Sequence, residues 1–83
     1  MSAHFFYLAR CSDGSLYAGT CVDRLAREAA HNAGTGAKYT RSRRPVRIVY
    51  AEEHASLSDA RKREAEVKRW PKARKESLVA GRT

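Results

Sequence analysis

The dipeptide Asp13-Gly14, inside "CSDGS", is the tightest constraint on what this chain can fold into. It separates two short runs, "HFFYLARC" and "SLYAGTCV", which carry aromatic and β-branched residues and read as strands. An Asp-Gly pair between two such runs specifies a β-hairpin. Two turns satisfy it. A two-residue turn pairs strand positions whose numbers sum to 27 and sends Tyr7 and Tyr17 to opposite faces. A three-residue loop, Ser12-Asp13-Gly14 with Gly14 left-handed in a bulge, pairs positions that sum to 26. Tyr7 then lies opposite Gly19, Ala9 lies opposite Tyr17, and both phenols share one face. Local turn rules leave both open; only a need for two hydroxyls in one place selects the second.

The rest of the chain reads in sequence order. Asp23 caps a helix over "RLAREAAHN", and "AGTGAKYTRSRRP" follows as a glycine- and arginine-rich loop closed by proline. "VRIVYAEE" is a third strand. Ser56 or Ser58 starts a second helix that runs to about Trp70, and Pro71 ends it and opens a third, "KARKESLVA". The order β-β-α-β-α-α predicts an α+β fold, a small three-stranded antiparallel sheet flanked by three helices, with residues 1–83 as one domain.

Charge narrows the partner. Lysine and arginine outnumber aspartate and glutamate 17 to 9, a formal net charge of +8, which points to a polyanion: nucleic acid first, a membrane surface second. No apolar run approaches the ~20 residues of a membrane span. "MSAHFF" lacks the basic and apolar pattern of an export signal, so the expectation is a cytoplasmic protein, taken as monomeric, with Cys11 and Cys21 as free thiols.

Three groups of residues could carry chemistry. Arg27 and His31, four apart, share a face of the first helix. On the second helix Leu57, Ala60, Glu64 and Val67 fall on one stripe, so Glu64 lies on an apolar face while Glu66 points to the opposite side. A carboxylate on an inward face needs a partner charge or a cation. Lys38, Tyr39, Arg41, Arg43 and Arg44, in the loop, combine cations with one aromatic, a composition suited to phosphates and a stacked base.

Together these pieces resemble the GIY-YIG nuclease superfamily, most closely its small stand-alone bacterial YhbQ-like group, and more distantly the UvrC N-terminal nuclease domain. The likeness rests on "RCSDGSLYAG", the Asp23, Arg27, His31, Asn32 spacing, "GAKYT", "RRP" and "REAEVKR", and runs through nearly the whole chain. It implies a metal-dependent endonuclease hydrolysing phosphodiester bonds of DNA, with structured or single-stranded DNA and a repair or recombination setting among the open choices. Matched position by position, it implies Tyr7, Tyr17, Arg27, His31 and Glu64 as catalytic residues, with Glu64 holding a single Mg²⁺ or Mn²⁺. In that scheme Arg27 clamps the scissile phosphate. Tyr7 takes the proton of the attacking water, its phenol lowered from the ordinary ~10 by the nearby cation. Tyr17 positions water or phosphate, and the two roles are exchangeable. Gly19 is expected to leave room for the DNA backbone. Thr20 stands where the UvrC-like branch has a lysine, so His31 or Lys38 would do that lysine's work. Two other readings stay open: a nucleic-acid-binding module with vestigial activity, and a basic accessory protein acting through protein contacts.

Overall fold

The computed structural model describes residues 3–81. It contains β1 (His4–Arg10), β2 (Leu16–Cys21), α1 (Arg24–Ala33), α2 (Lys38–Arg41), β3 (Arg47–His54), α3 (Leu57–Lys68) and α4 (Lys72–Val79). The strands form one antiparallel sheet in the order β2-β1-β3, as expected. One element was not legible: a single helical turn, α2, interrupts the segment read as a loop, so Lys38, Tyr39 and Arg41 stand on a helix.

The hairpin takes the three-residue loop. Gly14 has φ 85°, its N–H donates to Cys11 O, and Tyr7 pairs with Gly19 and Ala9 with Tyr17. Asp13 braces the turn by accepting from the Ser15 backbone and hydroxyl. Both tyrosines therefore share a face.

Strand β1 is central, and its run Phe6, Tyr7, Leu8, Ala9 is buried throughout because both sheet faces are covered. Phe6 and Leu8 pack with Ala18, Val67 and Leu78 under α3 and α4, with Tyr50 and Trp70 at the margin. Tyr7, Ala9, Cys11 and Val46 form the other core, joined by Tyr17, Cys21, Ile48 and Ala51. A register shift opposite Leu8/Ala9 lets Ile48 and Ala51, three residues apart, face this same side. Both cysteines are free thiols.

Helix α1 is pinned to the outer edge of β3. Asn32 accepts from the Val46 N–H (2.7 Å) and donates to the Val46 carbonyl (2.8 Å), while Glu28 accepts from the Ile48 N–H (2.7 Å). These bonds satisfy an otherwise open sheet edge. They also turn the neighbouring stripe of α1, Arg27 and His31, toward Tyr7. On the other layer, Ser56 caps α3 and Arg10 grips Glu76 of α4. Leu57, expected on the buried stripe of α3, is 38% exposed, because as the first residue of the helix it stands outside the contact with the sheet. No helix among the described residues is long and apolar enough to cross a membrane.

Candidate active site

His31 lies at the centre of a buried hydrogen-bond chain. The Thr40 hydroxyl donates to the Ala37 carbonyl (3.0 Å), so its oxygen accepts from His31 Nδ1–H (2.7 Å). With Nδ1 protonated, neutral His31 presents a lone pair at Nε2, and the Tyr7 hydroxyl donates to it at 2.7 Å. Arg27 Nε–H completes the chain by donating to the Tyr7 oxygen at 3.2 Å. Burial, reinforced by the Arg27 charge, holds the His31 imidazole below its usual range and keeps it neutral. Thr40, fully buried, fixes the tautomer and was not singled out in the sequence.

Two glycines make this packing possible. A Cβ on Gly19 would stand 2.6 Å from the Tyr7 hydroxyl oxygen, and one on Gly36 would stand 2.4 Å from His31 Nδ1. The bare backbone at Gly19 thus admits the protein's own phenol, and the expectation that it makes room for DNA is corrected. The signal for Gly36 is present in "GTGAKYT", since a glycine before a helical turn marks a close backbone approach, but nothing local says to what. Gly19→Ala is expected to cost ~1–3 kcal/mol as overpacking, a melting-temperature drop of roughly 4–20 °C for a domain of this size. The same change should displace Tyr7 from His31. Thermal unfolding checks it; a wild-type melting curve would mean that the ring can shift without cost.

The second correction concerns Tyr7 itself. Its phenol is pushed up to about 12 by burial, which outweighs the opposing hydrogen bond and charge of Arg27. The cation was expected to dominate, but the ring has no exposed surface at all, so desolvation of the phenolate decides.

Tyr17 is the more open of the two hairpin phenols. Half-buried on β2, an edge strand, it meets the cluster through its ring: 5.4 Å from His31 edge-on, 6.3 Å from Tyr7 and 6.0 Å from Tyr39 in a stacked arrangement. Two cations lie near it, Arg27 from α1 and Lys68 from α3. Lys68 also pairs with Glu64 at 2.8 Å, one turn apart on α3. Helix α3 covers the sheet face opposite to Tyr7, and its neighbourhood with Tyr17 arises around the β2 edge. Thr20 points to that same α3 side, since Tyr17, Gly19 and Cys21 occupy the other face. Of the two groups expected to do the missing lysine's work, His31 accepts from the Tyr7 hydroxyl and Lys38 makes no bond to either phenol; a third group, near Tyr17, is Lys68. Its signal in the sequence was the i, i+4 spacing from Glu64.

Glu64 is the more sheltered carboxylate, with its side chain 21% exposed against 56% for Glu66, which pairs with Arg63. Among the described residues no three His, Cys, Asp or Glu side chains converge as metal ligands. Arg27 lines an open groove of about 410 Å³ with Thr20, Cys21, Asp23 and Ala26.

The basic segment divides. Lys38 and Arg41 are exposed, with side chains turned to solvent. Arg43 is committed inward: it pairs with Asp13 at 3.1 Å, donates to the Tyr39 carbonyl and covers the Tyr39 ring at 3.9 Å. Arg44 donates to the carbonyls of Arg41 and Asn32. Tyr39 is 40% exposed, yet it already has two ring partners of its own chain, Tyr17 and Arg43.

The sequence that builds this cluster, two tyrosines on one face of a hairpin with an arginine and a histidine from the following helix, matches the family model described as the GIY-YIG catalytic domain over residues 3–77. The chain belongs to the GIY-YIG family. Proteins named UPF0213 from Staphylococcus aureus strains are 49% identical over 82 residues, covering 99% of this chain and all of theirs. The solution NMR structure of the UPF0213 protein BH0048 from Bacillus halodurans is 41% identical and superposes with a TM-score of 0.60, over 94% of this chain and 83% of that one. That of the protein EF2693 from E. faecalis is 40% identical with a TM-score of 0.65, over 98% and 86%. The GIY-YIG domain is a nuclease domain, which agrees with the basic composition and makes nucleic acid the substrate class.

Proposed function

We propose that this GIY-YIG domain is an endonuclease that hydrolyses phosphodiester bonds of DNA with the help of one divalent cation. The observation that carries the reading is the buried Arg27–Tyr7–His31–Thr40 hydrogen-bond chain with the half-buried ring of Tyr17 packed beside it. A nuclease must deprotonate a water and stabilise extra negative charge on phosphorus-bound oxygens. Tyr17 stands where solvent and substrate can reach it, whereas Tyr7 is sealed. Burial thus favours exchanging the two roles: Tyr17 takes the water's proton, and Tyr7 holds Arg27 and His31 in place. To do so Tyr17 must first pass its own phenolic proton to solvent; Arg27 and Lys68 are the cations near it. Arg27, at the wall of its groove, presents its remaining N–H groups to a phosphate.

The donor set fits a hard divalent ion held by one carboxylate. Glu64 is partly sheltered, and its present partner, Lys68, is exposed and displaceable. When bound, the ion would supply positive charge to a phosphate oxygen. A single protein ligand implies weak binding in the absence of DNA.

The test incubates end-labelled single-stranded and duplex DNA with the full chain in Mg²⁺, in Mn²⁺ and in chelator. Cleavage that requires a divalent ion is expected. DNA binding without cleavage under any of these conditions would favour the second reading, a binding module with vestigial activity, which the Glu64–Lys68 ion pair supports by occupying the carboxylate.

A further inference from the structure

With Arg43 paired to Asp13 and Arg44 bonded to backbone carbonyls, most of the unpaired positive charge lies elsewhere. Residues 61–75, "RKREAEVKRWPKARK", hold eight of the chain's 17 lysines and arginines. Arg63 and Lys68 are ion-paired with Glu52, Glu66 and Glu64; the other six have no carboxylate within 4.0 Å among the described residues. At ~100° per residue, Arg61, Lys62, Ala65 and Arg69 share the outer face of α3, away from Ala60 and Val67, which contact the sheet. The small Ala65 leaves a groove there of about 490 Å³, lined by Lys62, Arg69, Trp70 and the Glu66 carboxylate that Arg63 neutralises. Past the α3–α4 corner, the Arg74 guanidinium lies 3.9 Å from the centre of the Trp70 ring. Stacking fixes the plane of that guanidinium while its edge N–H groups stay available, a fork ready for phosphate.

We infer that the outer face of α3 and the Trp70–Arg74 corner form a second nucleic-acid-binding surface, which holds backbone phosphates of the strand beyond the cleavage site. The helical order places Arg61 one turn from Glu64 and on the same side as Lys68, two turns on, so a strand leaving Glu64 passes onto this face. Commitment to nucleic acid rests on the nuclease reading for the identity of the polymer; the charge and the preformed fork are independent of it. The surface presents cationic side chains suited to backbone phosphates, so the affinity it adds should depend little on sequence. It also makes the footprint longer than the catalytic cleft.

The test compares the wild-type chain with Arg61→Ala/Lys62→Ala/Arg69→Ala, three exposed side chains outside the catalytic machinery. Binding of fluorescent 30-nucleotide and 6-nucleotide single strands is measured in chelator across a salt titration, with circular dichroism to confirm folding. The triple variant should bind the long strand at least ~10-fold more weakly at low salt, with a log–log salt slope shallower by about two units. The short strand should bind as before, and the single-turnover cleavage rate at saturating long DNA should be unchanged. An unchanged affinity and slope on the long strand overturns the proposal. So does a loss confined to phosphatidylserine vesicles or to an acidic peptide, either of which would assign the face to another partner. A wild type that binds with this length dependence but never cleaves would sink the nuclease reading and leave this surface standing.

Discussion

Tyr17→Phe is expected to slow single-turnover cleavage by about 10²- to 10⁴-fold, the usual worth of a general acid or base, with thermal stability nearly unchanged. The reasoning starts from burial. The Tyr17 ring packs against His31, Tyr7 and Tyr39, and phenylalanine keeps that packing. Its hydroxyl has no protein partner among the described residues, so its removal should stay within about 0.5 kcal/mol of wild type. Tyr7→Phe is the informative opposite. The Tyr7 hydroxyl accepts from Arg27 and donates to His31 in a pocket where both Tyr7 and His31 have no exposed surface. Deleting it strands a buried acceptor on His31 and a half-buried donor on Arg27, at a cost of ~1–3 kcal/mol, read as a melting-temperature loss of roughly 4–20 °C. Cleavage should also fall, because Arg27 loses the contact that aims it, but by less than in Tyr17→Phe. Rate and stability therefore separate the two phenols. If Tyr7→Phe lost the rate at unchanged stability while Tyr17→Phe cut normally, proton removal would belong to Tyr7, the order that the family scheme first suggests.

The limits of the sequence are instructive at particular residues. The hairpin, the capping Asp23 and the Glu64 stripe were legible because each follows from local rules: turn chemistry, an N-cap side chain and helical periodicity. The choice between turns lay beyond local rules, since both satisfy the same dipeptide; the need for two phenols on one face selected the three-residue loop, and the structure has it. The fate of the arginine-rich segment was not legible. Composition gives Arg41, Arg43 and Arg44 the same weight, yet tertiary contacts tie Arg43 to Asp13, 30 residues away, and leave Arg41 exposed. Thr40 was invisible for a similar reason: its role exists only once α2 brings its hydroxyl to His31. The pKa of Tyr7 went the other way from expectation because a sequence shows which charges are near but not how much water is removed.

Glu64→Gln carries the other large effect. The carboxylate is the candidate ligand for the divalent ion, as a single protein ligand: nowhere among the described residues do three acidic, histidine or cysteine side chains converge. Charge stabilisation by a bound ion is worth several kcal/mol of transition-state energy, so cleavage should fall by at least about 10³-fold. Folding should hardly notice. The Lys68 pair lost is a partly exposed i, i+4 contact, with side chains 54% and 21% exposed, and such pairs are worth only ~0.3–0.5 kcal/mol. DNA binding in chelator should be equal or tighter, because a negative charge is removed beside the phosphates and Lys68 is released to meet them. Residual activity should require more Mn²⁺ than the wild type does. Glu66→Gln is the matched control: the same helix, two residues on, 56% exposed and paired with Arg63. It should cut at the wild-type rate with the wild-type metal dependence. If the two variants behave alike, the sheltered position of Glu64 has no bearing on the ion, and the metal must enter with the substrate phosphates alone.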